Sequence, residues 1–530
     1  MCLDGKYRYI PYILLVAMVL LVYGNSLSGG FVWDDSLFTA NQVYWAFDLK
    51  KIFLSLANGL EYQPVRDLTY LFDIVVWKGT SVGFHLTNLL LFIAVTLLVY
   101  RLAARLCAGF EASRPAWFVP FFTAALFAIH PLKSEVVAWV TQRNTLLATL
   151  LFLVATLLFI SYQDNGNKKL YFASLAVFVL ALLSKATVVV LPLMLLFLML
   201  TGKRQGRWSP LAPFFALSAA GAALHVTIAK KMAVISAAYY GEFSERLSVA
   251  LQIPFFYLGK FLLPTGISPF YAENFEKSLL SPRTILSALL LAGIVLLLWL
   301  LRKQYPELLL GGGWFAITLL PVSNLFATSP VAADRYLFLP SFGLAFALVS
   351  MVGRITLPSR VKVSIAALLL ALLATVTFRQ NRIWHDEISL WSETARRSPQ
   401  VSGVWFNLGR ALHKTPQLSF ALEAYLRAIK LDPADIKPLD NAAALFPATR
   451  GSIRERHELV MSLAEQMPDY PQGLPQIGTV QREWRHPDAA EELFFYLLSA
   501  DPDSKHLRLA MASFYRKMGA NDRAEAILRR

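Results

Sequence analysis

Cysteine is nearly absent. Cys2 and Cys107 are the two in 530 residues, too few for a disulfide framework or a thiolate metal site, so redox chemistry receives no support. No small-residue cleavage site follows the first apolar segment at 10–27, which Lys6 and Arg8 precede. That segment therefore reads as an uncleaved first span with a cytoplasmic N-terminus, not a removed signal peptide. No nucleotide-binding glycine-rich loop is evident either.

What is abundant is apolar residue. The chain is 56% hydrophobic with a mean hydropathy of +0.49, above the roughly half-apolar norm of soluble domains, and the excess must face lipid. It falls in blocks of about 16 to 20 residues, the length that crosses a hydrocarbon core of about 30 Å as helix. After 10–27 the blocks lie at 86–102, 117–132, 144–162, 169–184, 186–201, 210–228, 283–301, 308–324, 336–352 and 363–378, eleven in all. The loops this count puts inside carry Arg101 and Arg105, Lys168 and Lys169, Arg302 and Lys303, and Arg354, Arg360 and Lys362, in keeping with the positive-inside bias. The net charge of +15 thus reads as topology and not as a nucleic-acid surface. A twelfth stretch, 249–266, contains Pro254, Lys260 and Pro264 and reads as re-entrant or interfacial.

By loop parity, residues 28–85 form a long outside loop and everything beyond about 379 is outside as well. The expected division is a polytopic helical bundle over 1–380 and a helical-repeat domain over 381–530. In the latter, Trp405, Leu408, Gly409, Leu412, Ala421, Tyr425, Ala428 and Pro433 fall at the tetratricopeptide spacing. Pro433, Pro468 and Pro502 recur at intervals of 35 and 34, Gly478, Ala490 and Phe494 repeat positions of a second unit, and Ala512, Tyr515, Gly519 and Ala524 mark a truncated last one. The fold class expected is therefore all-α, membrane bundle followed by α-solenoid.

Several polar groups are out of place in such a chain. Asp34 and Asp35 stand side by side just after the first span, which is costly unless a cation, a proton or a substrate hydroxyl shares the site; they read as a general base or, equally, as a solvated helix cap. Arg66, with its planar fork, suits a phosphate, or an ion pair with Asp67 or Glu61. Between the third and fourth blocks, His130, Lys133, Glu135 and Arg143 crowd a segment where ionisable residues are expensive. If that segment is helical from Pro131, Glu135, Trp139 and Arg143 line one cavity wall. Lys185 and Arg335 fall on the outside face and read as holders of a phosphate head group or as snorkelling anchors.

Taken in order, Phe31 to Asp35, Tyr62 to Tyr70, Phe84, His85 and Asn88, His130 to Arg143, Ser184 with Lys185, Arg335 and Tyr336 with Pro340, and Trp384 and Trp391 resemble the transmembrane and tetratricopeptide-repeat-containing O-mannosyltransferases and their bacterial relatives, within the C-type glycosyltransferase superfamily. The resemblance implies an inverting transferase. A sugar such as mannose would pass from a polyprenyl-phosphate donor to a hydroxyl, the acceptor being Ser or Thr of an extracytoplasmic protein held by the repeats. It implies that the acidic pair supplies the base, with Asp35 favoured over Asp34, and that Arg66, His130, Glu135, Arg143, Lys185 and Arg335 serve donor phosphate and substrate. No cofactor or metal is expected, and membrane lipid, the lipid-linked donor and a protein or peptide acceptor are the partners, with no nucleic acid. Where the family commonly has Ser, Lys, Glu, this chain has Ser184, Lys185, Ala186, which puts a carboxylate role there in doubt. Short loops and the lack of extended tails favour a bacterial inner membrane. Two alternatives stand beside this reading: an envelope glycan or lipid transferase of the same fold, and a membrane-anchored scaffold for the repeats, which would have no use for buried His, Glu and Arg.

Overall fold

The computed structural model describes residues 9–57, 61–108, 116–202, 208–231, 241–271, 275–326, 330–432, 435 and 437–445, and positions between 491 and 529 that include the whole of Asn521–Arg529. Every regular element among them is an α- or 3₁₀-helix. The chain divides into two compact units, one of Met1–Pro269 with Glu273–Asp386 and one of Phe270–Ala272 with Glu387–Arg530.

In the first unit all eleven apolar blocks are helical. Among the described residues six helices are long and apolar enough to cross a membrane: Ile10–Ser28, Ser81–Cys107, Val140–Asn165, Ser209–Ile228, Pro282–Leu301 and Ser359–Trp384. A seventh block is bent by 60° between Phe118–Ile129 and Pro131–Ala138, and the others are the shorter helices Lys168–Leu182, Ala186–Thr201, Pro306–Val322 and Ser341–Arg354. The stretch around Pro254 is a continuous helix, Phe243–Leu262, that is not among the candidate spans.

Hydrophobic attraction between helices is weak in lipid, so close packing and polar contacts hold them together. Helices Pro306–Leu319 and Ser341–Arg354 meet at Gly311 and Gly343; a Cβ on Gly311 would lie 2.5 Å from the Gly343 carbonyl oxygen. Near the other end of the same pair, the buried Glu307 carboxylate accepts from the Arg354 guanidinium at 3.0 Å. Tyr23 donates to the Ala128 carbonyl at 2.9 Å, and Asn381 donates to the Val22 carbonyl at 2.9 Å, which ties the first span to the third block and to the last.

The strongest staple surrounds Arg143, which is fully buried. Its guanidinium pairs with Asp73 and donates to Asn88 Oδ1 at 2.8 Å and to the Phe84 carbonyl at 2.8 Å, while Tyr70 lies 4.8 Å from it by its ring centroid. Asp73 also accepts from Thr87 at 2.6 Å. One guanidinium thus joins the loop helix Pro64–Trp77, the span Ser81–Cys107 and the start of helix Arg143–Asn165.

In the second unit, helices Ser402–His413 and Leu418–Leu431 form a hairpin. Leu408, Gly409, Leu412, Ala421, Tyr425 and Ala428 are all buried between or beside them, and a Cβ on Gly409 would sit 2.5 Å from the Tyr425 ring. Glycine here lets the aromatic fill the gap. Ala512, Tyr515 and Ala524 are also buried; Pro433, Pro468, Gly478, Ala490, Phe494 and Pro502 lie outside the described residues.

Removing one member of a buried ion pair strands the other charge. Asp73→Asn should therefore cost about 3–5 kcal/mol, whereas the double change Asp73→Leu with Arg143→Met should cost less than the single one. Denaturant unfolding of the full chain in micelles checks this; an Asp73→Asn protein as stable as the wild type would remove the staple from the account.

Candidate functional site

The segment from Pro131 to Arg143, which would align Glu135, Trp139 and Arg143 if it were one helix, is broken. It runs as a 3₁₀ turn Pro131–Lys133, a helix Ser134–Ala138, an extended Trp139 with ψ 117°, and a second 3₁₀ turn Val140–Gln142 before helix Arg143–Asn165 begins. The physical reason is Asp35. Its Oδ1 accepts from the Thr141 backbone N–H at 2.9 Å and from the Thr141 hydroxyl at 2.7 Å, and its Oδ2 accepts from the Val32 N–H at 2.9 Å. A carboxylate on an N–H in the first turn before a long helix answers both the orphan donor and the positive end of the helix dipole. The break consequently sends Glu135 and Arg143 to different partners, and the single cavity wall expected of them does not form.

Trp33 sits in the left-handed region with φ 54°, a strained conformation for a bulky residue. Its ring stacks on Trp139 at 4.4 Å with an interplanar angle of 2°, and Trp139 stacks in turn on Trp384 at 5.6 Å. The stack holds the acidic loop against the broken segment. Asp35 is fully enclosed there, whereas Asp34 is half-buried. Burial pushes the Asp35 carboxyl up to about 7, against the three hydrogen bonds, which favour its charged form.

Beyond Thr141 the polar chain continues. Gln142 accepts from the Thr145 hydroxyl at 2.8 Å, Thr145 accepts from Lys185 Nζ at 2.6 Å, and Asn144 accepts from the same Nζ at 3.3 Å while donating to Gln63 at 3.1 Å. Lys185 and Arg335 line one cavity with Thr145, Thr149, Thr187 and Tyr336. Arg335 is oriented by Glu135, which accepts from its backbone N–H at 2.8 Å and pairs with its guanidinium. Burial first, and then the neighbouring Arg335 charge, lower Lys185 to about 7; Glu61 and Glu135 oppose the shift. Lys133 secures the segment that carries Arg335. Its ammonium donates to the Phe338 carbonyl at 3.0 Å and to the Ser341 hydroxyl, and the Phe127 ring lies 4.2 Å away.

The remaining predicted residues are engaged elsewhere. Arg66 is buried in ion pairs with Glu61 at 2.7 Å and Asp67 at 2.8 Å, with the Phe38 ring 4.6 Å away. His130 bonds through Nε2 to the Phe261 carbonyl at 2.9 Å, accepts at Nδ1 from the Leu132 N–H, and stacks on the Phe261 ring at 4.8 Å. Neither lines the cavity that Lys185 and Arg335 share. Among the described residues no group of three or more His, Cys, Asp or Glu is placed to hold a metal ion. Sequence reasoning did not single out Thr141, Thr145 or Trp33 as site residues; an oxygen-bearing side chain beside a helix start was the available signal for the first two.

Apolar helices around a sealed cluster of ion pairs and one cation-lined cavity define a multi-pass membrane protein with a built polar site. No family model matches the chain. Its homologues are protein O-mannosyl-transferases: it is 24% identical over 446 residues to one from Caenorhabditis elegans, covering 80% of this chain and 63% of that protein. It is 24% identical over 511 residues to TMTC3 of Homo sapiens, covering 86% and 55%, and 26% identical over 487 residues to TMTC4 of Homo sapiens, covering 78% and 65%. The chain thus spans between about half and two thirds of the length of the curated relatives it matches. A search of solved structures finds the crystal structure of ArnT from Cupriavidus metallidurans bound to undecaprenyl phosphate, 18% identical, with 94% of this chain and 89% of that one covered and a TM-score of 0.39.

The raised Asp35 has a signed consequence. Its unfolded value is about 3.8 and its folded value about 7, so the protonated form is favoured on folding and that contribution is lost as pH rises between them. Wild-type stability relative to Asp35→Asn should fall across that window and level off above it. Thermal melts of both proteins from acid to mildly alkaline pH check this; parallel curves would mean that Asp35 titrates as in the unfolded chain.

Proposed function

We propose that the protein transfers a sugar from a polyprenyl-phosphate-linked donor to an acceptor hydroxyl, with Ser or Thr of an extracytoplasmic protein as the acceptor. The eleven apolar helices cross a bacterial inner membrane, and the first loop and the C-terminal helical repeats, which hold the acceptor, face the outside. The observation that carries this reading is the cavity where Lys185 and Arg335 converge; Asn144 and Thr145 hold Lys185 there, three and four residues along the chain from Thr141, which holds Asp35. Two cations lining one cavity suit an anionic leaving group, and a carboxylate of the acidic loop suits removal of a hydroxyl proton.

In this chemistry the acceptor oxygen attacks the anomeric carbon in line and with inversion. Its proton passes to a carboxylate, and the bond from the anomeric carbon to the phosphate oxygen breaks. The electron pair stays on the lipid phosphate, which Lys185 and Arg335 stabilise. Glu135 keeps the Arg335 fork aimed, and Lys133 keeps its segment in place. Arg66, Arg143 and His130 stand outside that cavity and fix the segments around it. The two acidic residues divide the work. Asp35 is enclosed with three donors on its oxygens, so it anchors the loop, while the half-buried Asp34 meets the acceptor. This reverses the preference that the resemblance alone suggests.

The test is sugar transfer from a polyprenyl-phosphate donor to a peptide by the reconstituted protein. Asp34→Asn should lower kcat by about 10²–10⁴, as expected for loss of a general base, and its melting temperature less than Asp35→Asn does. Asp35→Asn should lower both. Full activity in Asp34→Asn, together with loss of activity but not of stability in Asp35→Asn, would return the base to Asp35. Wild-type rates in both variants would remove the acidic pair from the chemistry.

A further inference from the structure

The loop helix Pro64–Trp77 has no polar face towards the outside. It buries Arg66, Asp67 and Asp73 together with Tyr70, Leu71 and Ile74, and each of its four exposed residues is apolar: Leu68 at 36%, Phe72 at 55%, Val75 at 55% and Val76 at 45%. Spacing of four, three and one places them in a single stripe. A helix facing water would show the reverse pattern, and a stripe of this kind demands an apolar neighbour. The chain around it says which. The loop is bounded by the candidate spans Ile10–Ser28 and Ser81–Cys107, and only three residues, Lys78–Thr80, separate Trp77 from the second span. Lys78 at φ 52° and Gly79 at φ 75° make the sharp turn from one helix into the other. The stripe therefore continues the lipid-facing surface of a membrane span.

A second apolar group precedes it. Trp45, Phe47, Leu49, Phe53 and Leu54 are exposed, Leu54 at 75%, with the exposed Lys50 and Lys51 among them. Bulky apolar side chains interleaved with lysines are the composition of interfacial helices, in which the rings and aliphatic chains enter the acyl boundary and the ammonium groups meet head-group phosphates.

We propose that the first loop is a lipid-docking element. Helix Pro64–Trp77 lies on the outer leaflet with Leu68, Phe72, Val75 and Val76 against acyl chains, and the short helix Leu49–Leu54 inserts Phe53 and Leu54 while Lys50 and Lys51 hold anionic phospholipid head groups. The buried face of the same helix carries Tyr70, which donates to the Val140 carbonyl at 3.2 Å, and Asp73, which holds Arg143. Docking on lipid thereby sets the height of the Asp35–Thr141 contact above the membrane. The inference stands without the transferase reading, because it concerns the loop's solvent and not its chemistry.

The test uses the full chain in nanodiscs, with Cys2→Ser and Cys107→Ser as background and single fluorescent labels at Phe53→Cys, Phe72→Cys, Val76→Cys and, for comparison, Asp48→Cys. Labels at 72 and 76 should be quenched by lipids brominated on their acyl chains and shielded from aqueous iodide relative to 48. The label at 53 should be quenched more by brominated phosphatidylglycerol than by brominated phosphatidylcholine. Lys50→Gln and Lys51→Gln should each weaken that preference about five-fold, the equivalent of about 1 kcal/mol per basic residue at an anionic surface. Iodide access at 72 and 76 equal to that at 48, or shielding that appears only on adding an acceptor protein, would overturn the proposal, the second result pointing to a protein partner on this face.

Discussion

The contact between Asp35 and Thr141 organises the rest of the first unit. A carboxylate brought against the start of a long helix takes the N–H that an uninterrupted helix would have used internally. The break this allows at Trp139 sends Glu135 towards Arg335 and Arg143 towards Asp73, and it frees the Trp139 ring to lie between Trp33 and Trp384. The cost is visible in the left-handed Trp33 and in a carboxyl that burial raises to about 7. Strain and desolvation of that order persist where the surroundings over-determine them, which is common at functional sites.

Most of the buried charges follow one logic; Asp35 and Lys133, which neutral groups hold, do not. Arg66, Arg143, Glu135 and Glu307 are each removed from solvent with an opposite charge in contact, so each pair fixes the relative positions of two segments. Lys185 differs in kind: its ammonium is held by the neutral oxygens of Thr145 and Asn144, beside a second cation in the same cavity. An arrangement that pays for two neighbouring cations without a carboxylate on the lysine is better suited to receiving an anion than to bracing a fold.

The apolar blocks were legible because hydrophobicity is a local property, and all eleven are helical. The hairpin of Trp405 to Ala428 was legible because small and aromatic residues must alternate where two helices touch, as Gly409 and Tyr425 do. Asp34, Asp35, Lys185 and Arg335 stood out as charges at the edges of apolar runs. What could not be read is which charges pair with which. Arg335 finds Glu135 across 200 residues, and Asp35 finds Thr141 across 106. Nothing in either local pattern records the other, so neither the pairing of Arg143 with Asp73 nor the break at Trp139 was legible.

A double-mutant cycle between Asp35→Asn and Thr141→Val, read on both unfolding and sugar transfer, tests the central claim most directly. Residues that share a hydrogen-bond network couple by about 0.5–3 kcal/mol, and a coupling in that range on both readouts is the predicted result. Additive effects on both would contradict the account, because the acidic loop and the broken segment would then be neighbours without being one site.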